Sequence, residues 1–139
     1  MTWFYNDRPV TNEDLEGQYG FVYLIENLLS GKRYIGKKVL FFKKFRTVKG
    51  KKKRYLADSD WLTYYGSNRL LLEDIEANGV ENFKRTVLRW CKTKGEANYY
   101  EAKMQFEKNV LLDSNYYNDQ IRVRIHSSHI KNEKEDQAK

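Results

Sequence analysis

Two tyrosines, Tyr23 and Tyr34, stand eleven residues apart in the stretch GQYGFVYLIENLLSGKRYIGKKVLFF, residues 17–42. Aromatic residues favour pleated strands, so each alone reads as an ordinary strand residue. Together they also read as two phenols brought to one place. A phenol titrates at about pH 10, so it acts as a base only where neighbouring positive charge lowers that value. Lys37 and Lys38 follow Tyr34-Ile35-Gly36 directly and supply such charge. Successive strand residues point to opposite faces, so the phenols meet only if their strands pair in the right register.

Other reactive side chains are few. Cys91 is the sole cysteine, which excludes an internal disulfide, and its strand-like surroundings suit a buried, inert thiol. The two histidines, His126 and His129, lie near the C-terminus, and no cysteine–histidine zinc spacing occurs. No apolar run reaches the roughly 20 residues that span a bilayer. No signal-peptide core is visible in MTWFYNDRPV. These features lead to the expectation of a reduced, cytoplasmic protein with no membrane partner.

The 139 residues suit one domain, and seven Phe, eleven Tyr and three Trp suffice for a modest core. The 26 Lys and Arg outweigh 19 acids, for a net charge of +7, which favours a polyanionic partner such as nucleic acid.

The elements that must position the phenols follow the chain. Residues 1–18 read as an irregular arm. YGFVYLIEN and KRYIGKKVLFF are β-rich runs joined by LLSG, too close for a crossover, so they pair antiparallel. Residues 43–60 carry eight Lys or Arg and no apolar period, as a solvated loop or a flexible basic hairpin would. Ser67 or Asn68 caps a helix in which Leu71, Leu72 and Ile75 share a face, and Asn78-Gly79 stops it. NFKRTVLRWC is a third strand. A second helix runs from Glu96 to about Leu112. SNYYND is a turn, QIRVRIHSS an edge strand, and the charged 126–139 a disordered tail. The expected fold is therefore α+β: a small three-stranded antiparallel sheet flanked by helices, with a basic insertion after strand 2.

At this point the chain resembles the GIY-YIG nucleases, and phage-type homing endonucleases in particular. GFVY at 20–23 and YIG at 34–36 match the paired signature. YYGSNRLLLEDIEANGVENFKRTVL resembles the family's helix-then-strand region, EANYYEAKMQFEK its last helix, and NYYND its closing element. The resemblance covers about residues 19–120, so a nuclease domain of 19–125 is implied.

The resemblance implies a DNA endonuclease that hydrolyses phosphodiesters with a divalent metal, Mg2+ or Mn2+. Glu101 falls where the family places its metal-binding catalytic acid, and Asn118 at the closing asparagine. Tyr23 would orient or deprotonate the attacking water, with Tyr34 and Lys37 beside it. Magnesium takes oxygen ligands and is often content with one or two carboxylates plus water and phosphate. The family's phosphate-binding arginine sits on a helix after the second tyrosine, and here a basic segment replaces that helix. Arg46 is the first choice for its role and Arg69, at a helix start, the second. DNA backbone contacts fall to Lys38, Lys43, Lys44, Lys49, Lys51, Lys52, Lys53 and Arg54.

Two other classes compete with this reading. One is a non-catalytic basic DNA-binding module derived from the same fold. The other is a small interaction domain that is basic for solubility. One active site cuts one strand at a time, so the protein is expected to act as a monomer or a DNA-dependent dimer.

Overall fold

The computed structural model describes residues 2–131. Its centre is the predicted hairpin: β3 (Gly20–Asn27) pairs antiparallel with β4 (Arg33–Val39), Tyr23 opposite Gly36 and Ile25 opposite Tyr34. β7 (Phe83–Cys91) lies antiparallel on the other side of β3, with an irregularity between Val22 and Tyr23. These three strands are the expected antiparallel sheet.

The expectation of three strands is corrected by two more. β1 (Trp3–Tyr5) runs parallel to β7, and β2 (Arg8–Pro9) pairs antiparallel with β1, giving the order β2-β1-β7-β3-β4. The start of the chain is thus not an irregular arm. Trp3 is only 2% exposed, and its indole Nε1 donates to the Trp61 carbonyl at 2.7 Å. A three-residue strand carries no periodicity to read, and long-range pairing alone defines it. A short helix, α1 (Asn12–Leu15), follows.

The basic insertion is a second, separate sheet. β5 (Phe41–Val48) and β6 (Lys51–Asp58) pair antiparallel along their full length. Lys49 and Gly50, both at positive φ, make the two-residue turn.

α2 (Arg69–Asn78) begins at Asn68, whose side chain accepts from Leu71 N at 3.0 Å, and ends at Gly79 with φ 86°. Its Leu71 and Ile75 join Trp3, Phe21, Tyr23, Ile25 and Trp61 in the core on one face of the sheet. α3 (Lys94–Glu107) covers the other face, with Ala97 and Tyr100 against Val22, Ile35 and Cys91. Full burial of one such aliphatic side chain contributes about 1.5–3 kcal/mol. Thr93 caps α3 by accepting from Glu96 N at 3.1 Å, and Asn109 at φ 52° follows its end. The helix therefore starts and stops earlier than expected.

QIRVRIHSS is not an edge strand. Arg33 and Tyr116 form an isolated bridge, and then the side chain of Asn118 occupies both backbone groups of Ile35. Those are the groups on which a further strand beside β4 would need to build its ladder. Within the predicted tail, Ser127–Ile130 form a 3-10 turn packed on α3. Gly95 permits this approach, since a Cβ there would meet the His129 Cβ at 2.5 Å. Residues 132–139, the rest of the predicted disordered tail, lie outside the described residues.

Candidate active site

The β3–β4 register puts Tyr23 and Tyr34 on one face of the sheet, their ring centroids 6.2 Å apart. Tyr23 is held on three sides by aromatic rings: Trp3 at 5.5 Å, Tyr64 at 6.0 Å and Tyr34. Its hydroxyl passes over Gly36, where a Cβ would stand 2.5 Å from the Tyr23 oxygen. The glycine of YIG is therefore required here by the phenol across the hairpin.

Glu101 reaches the same place from α3. Its carboxylate is 15% exposed and lies 3.9 Å from the Lys37 ammonium. Lys37 also hydrogen-bonds the Asn98 side chain one turn earlier on the helix. Tyr23, Tyr34, Lys37 and Glu101 thus line one polar cavity of about 390 Å³.

Burial dominates the electrostatics. Tyr23 is pushed well above the ordinary phenol value, first by desolvation and then by the Tyr64 and Tyr34 phenols. Tyr34 is also raised by burial, against a Ser67 hydrogen bond that lowers it. This corrects the expectation that Lys37 and Lys38 depress these phenols. Lys37 turns toward Glu101 and Asn98. Lys38 pairs with Asp60 at 2.6 Å and stands over the Tyr64 ring at 4.0 Å. Glu101 is raised by desolvation, with Lys37 opposing. Both phenols are accordingly protonated at neutral pH.

Whether these residues suit a divalent cation is decided by the oxygen donors. Among the described residues no group of three or more His, Cys, Asp or Glu is placed to hold a metal ion. The cavity instead offers the single carboxylate of Glu101. One turn along α3, Gln105 also lines it, and the Gln105 Oε1 is buried without a protein partner. An oxygen-only donor set of low charge suits a hard cation that keeps much of its water, as Mg2+ does. The site fits that group.

Asn118 takes no place in the cavity lining. Its Oδ1 accepts from Ile35 N at 3.1 Å and its Nδ2 donates to Ile35 O at 2.8 Å. Gln105 Nε2 donates to the same carbonyl at 2.9 Å. Asn118 and Gln105 together fix the strand between Tyr34 and Lys37, so Asn118 acts on position.

Neither predicted arginine lines the cavity. Arg46 lies on β5 with its guanidinium over the Tyr55 ring at 5.2 Å. Arg69 bonds Glu73 at 3.0 Å on the exposed side of α2. The arginine at the cavity is Arg122, which sequence reasoning placed in an edge strand. It arrives because Asn118 anchors the chain to β4 and the following coil carries Gln120 and Arg122 across the opening. Arg85 was also missed. Only 2% exposed, it donates to the Leu62 and Tyr64 carbonyls at 3.0 and 2.9 Å and stacks on Trp3 and Tyr65. It holds the segment that brings Tyr64 to Tyr23. The predicted DNA contacts Lys43, Lys44, Lys49, Lys51, Lys52, Lys53 and Arg54 are gathered on β5, β6 and their turn. Cys91 is buried and its thiol pushed up to about 12, which suits an inert core residue.

Comparison with known proteins places the chain in a family. A protein of Enterobacteria phage T4 described as "Putative endonuclease segE" is 33% identical over 100 residues, 72% of this chain and 40% of that protein. The chain thus spans less than half the length of the curated relative it matches. No solved structure matches. Residues 3–121 match the family described as "Putative endonuclease segE, GIY-YIG domain", reaching from the first strand to the residue before Arg122. The chain belongs to this SegE-type GIY-YIG domain family.

Proposed function

We propose that the chain is a divalent-metal-dependent DNA endonuclease that hydrolyses phosphodiester bonds. The observation that supports this most is the convergence of Tyr23, Tyr34, Lys37 and Glu101, from a hairpin and a helix, on one polar cavity. Family membership and the relative's description as an endonuclease favour the same chemistry.

Each residue then has a role. Glu101 holds Mg2+ or Mn2+, which when bound would supply charge for the phosphate and leaving oxygens. The protonated Tyr23 hydroxyl sits against Gly36, rigid between three rings, and its oxygen accepts a hydrogen bond from water and orients it. Tyr34 flanks it. Lys37 balances the Glu101 charge in the free enzyme and meets phosphate when DNA arrives. Arg122 replaces Arg46 and Arg69 as the guanidinium for developing phosphate charge, its planar donor fork suited to two oxygens. Asn118 keeps β4 in place. The cations of β5 and β6 contact the DNA backbone, and Lys38 joins that surface to the cavity through Phe42 and Tyr64. No helix among the described residues is long and apolar enough to cross a membrane.

The test is incubation of the protein with supercoiled plasmid and Mg2+, with EDTA as control. Metal-dependent nicked or linear product is the expected result. Plasmid that is retarded but never cut, across several DNAs and both metals, contradicts it and leaves the DNA-binding module.

A further inference from the structure

We infer that the β5–β6 hairpin is a ribbon that enters the major groove of double-stranded DNA, presenting Phe45 and Leu56 to the base edges. The inference rests on the DNA reading above and specifies the form of DNA that the protein takes. Eight residues of β5 pair with eight of β6, so the ribbon is about 26 Å long at roughly 3.3 Å per residue. It forms a sheet of its own, apart from the five-stranded sheet, and nearly every residue along it is exposed. A two-stranded ribbon left in water on both faces needs a reason to persist, because an isolated hairpin is only marginally stable.

Its two faces follow from the register. Directly paired residues share a face, so Lys43–Leu56, Phe45–Arg54 and Thr47–Lys52 lie on one side. Lys44–Tyr55, Arg46–Lys53 and Val48–Lys51 lie on the other. Each face carries at least three cations, and the only acid on the ribbon is Asp58 at its root. A ribbon laid flat on a backbone would use cations on one side. Cations on both sides suit an object between two phosphate walls.

The apolar residues choose the groove. Phe45 is 64% exposed and Leu56 61%, as neighbours on one face among Lys43, Lys52 and Arg54. An occupant must match both positive charge and apolar surface. The major groove does so, with thymine methyls on its floor and phosphates on its rims, and at about 12 Å wide it admits a two-stranded ribbon. The minor groove, about 6 Å wide, does not. A single-strand platform needs a succession of aromatic rings, and beyond its root this face offers only Phe45 beside an aliphatic Leu56. At the root, Lys38 lies between the Phe42 ring and the Tyr64 ring of the cavity, so a seated duplex is delivered to the active site.

The test uses the Glu101→Ala variant of this chain in EDTA, so that binding is measured without cleavage. Duplex of mixed sequence is compared with its single strand, and with duplex preloaded with methyl green in the major groove or distamycin in the minor groove. Duplex is expected to bind about tenfold or more tighter than single strand, and methyl green alone to compete. A Phe45→Ala, Leu56→Ala double variant, checked for unchanged circular dichroism, should lose about tenfold in duplex affinity. Competition by distamycin alone, equal binding of single strand, or wild-type affinity of the double variant overturns the ribbon. Failure of the Glu101→Ala protein to bind any DNA would overturn the DNA reading itself.

Discussion

The hydroxyl of Tyr23 occupies the space that any side chain at residue 36 would need: a Cβ on Gly36 would lie 2.5 Å from the Tyr23 oxygen and 3.0 Å from the Tyr34 ring. Strand and site are joined at that contact. Gly36→Ala must push the phenol aside, because Trp3, Tyr64 and Tyr34 leave it nowhere else to go. Overpacking of this kind costs about 1–3 kcal/mol of stability. Cleavage should fall about 100-fold, as a misplacement near 1 Å does. Measuring kcat/KM beside the melting temperature tests this. An Ala variant with wild-type activity would show that the Tyr23 hydroxyl takes no part.

The arginine assignment separates three variants. Arg122→Ala should lower the cleavage rate by about 100-fold to 1000-fold, the usual effect of removing one donor to transition-state charge. Arg69→Ala should be nearly silent, since its ion pair with Glu73 is exposed. Arg46→Ala should act on DNA affinity and its salt dependence, with kcat unchanged. Single-turnover rates at saturating protein, with DNA affinity measured across a salt series in EDTA, distinguish these outcomes. A large loss at Arg69 with none at Arg122 would return the role to α2.

Glu101 gives the fold a dependence on pH. Its folded-state pKa is raised, chiefly by desolvation, so the folded protein binds its proton more tightly than the unfolded chain does. That contribution to stability is complete below the ordinary carboxylate range and is lost as pH rises through the raised value. In EDTA, Glu101→Gln should therefore melt higher than wild type at neutral pH. The gap should close as the pH falls below the carboxylate range. A difference that widens in acid would show that Lys37 outweighs burial, and one that is constant with pH that the two cancel.

The parts of this molecule that repeat a local rule were legible in the chain. The β3–β4 hairpin announced itself by two β-rich runs and a short turn. α2 did so by its Asn68 cap, the Leu71–Ile75 spacing and the Gly79 stop. Tyr23, Tyr34, Lys37 and Glu101 were each named, and the cavity gathers them. What failed was set by distant contacts. Trp3 becomes a strand residue only because β7 and Trp61 receive it. Arg122 comes to the cavity only because Asn118 fills the edge of β4, and QIRVRI alternates as a strand would. The phenol pKa values were misjudged in sign for a related reason. Sequence adjacency put lysines next to Tyr34, but alternation along β4 and the reach of their stems sent Lys37 to α3 and Lys38 to Asp60. Burial then prevailed.

The central claim is that one carboxylate on α3 makes this cavity a hydrolytic site. Its most direct measurement compares wild type with Glu101→Ala on the same duplex, scoring cleavage with Mg2+ and binding in EDTA. The account predicts that wild type cuts only when metal is present, while Glu101→Ala does not cut and binds within about twofold of wild type. A Glu101→Ala protein that still cleaves with Mg2+ would contradict it.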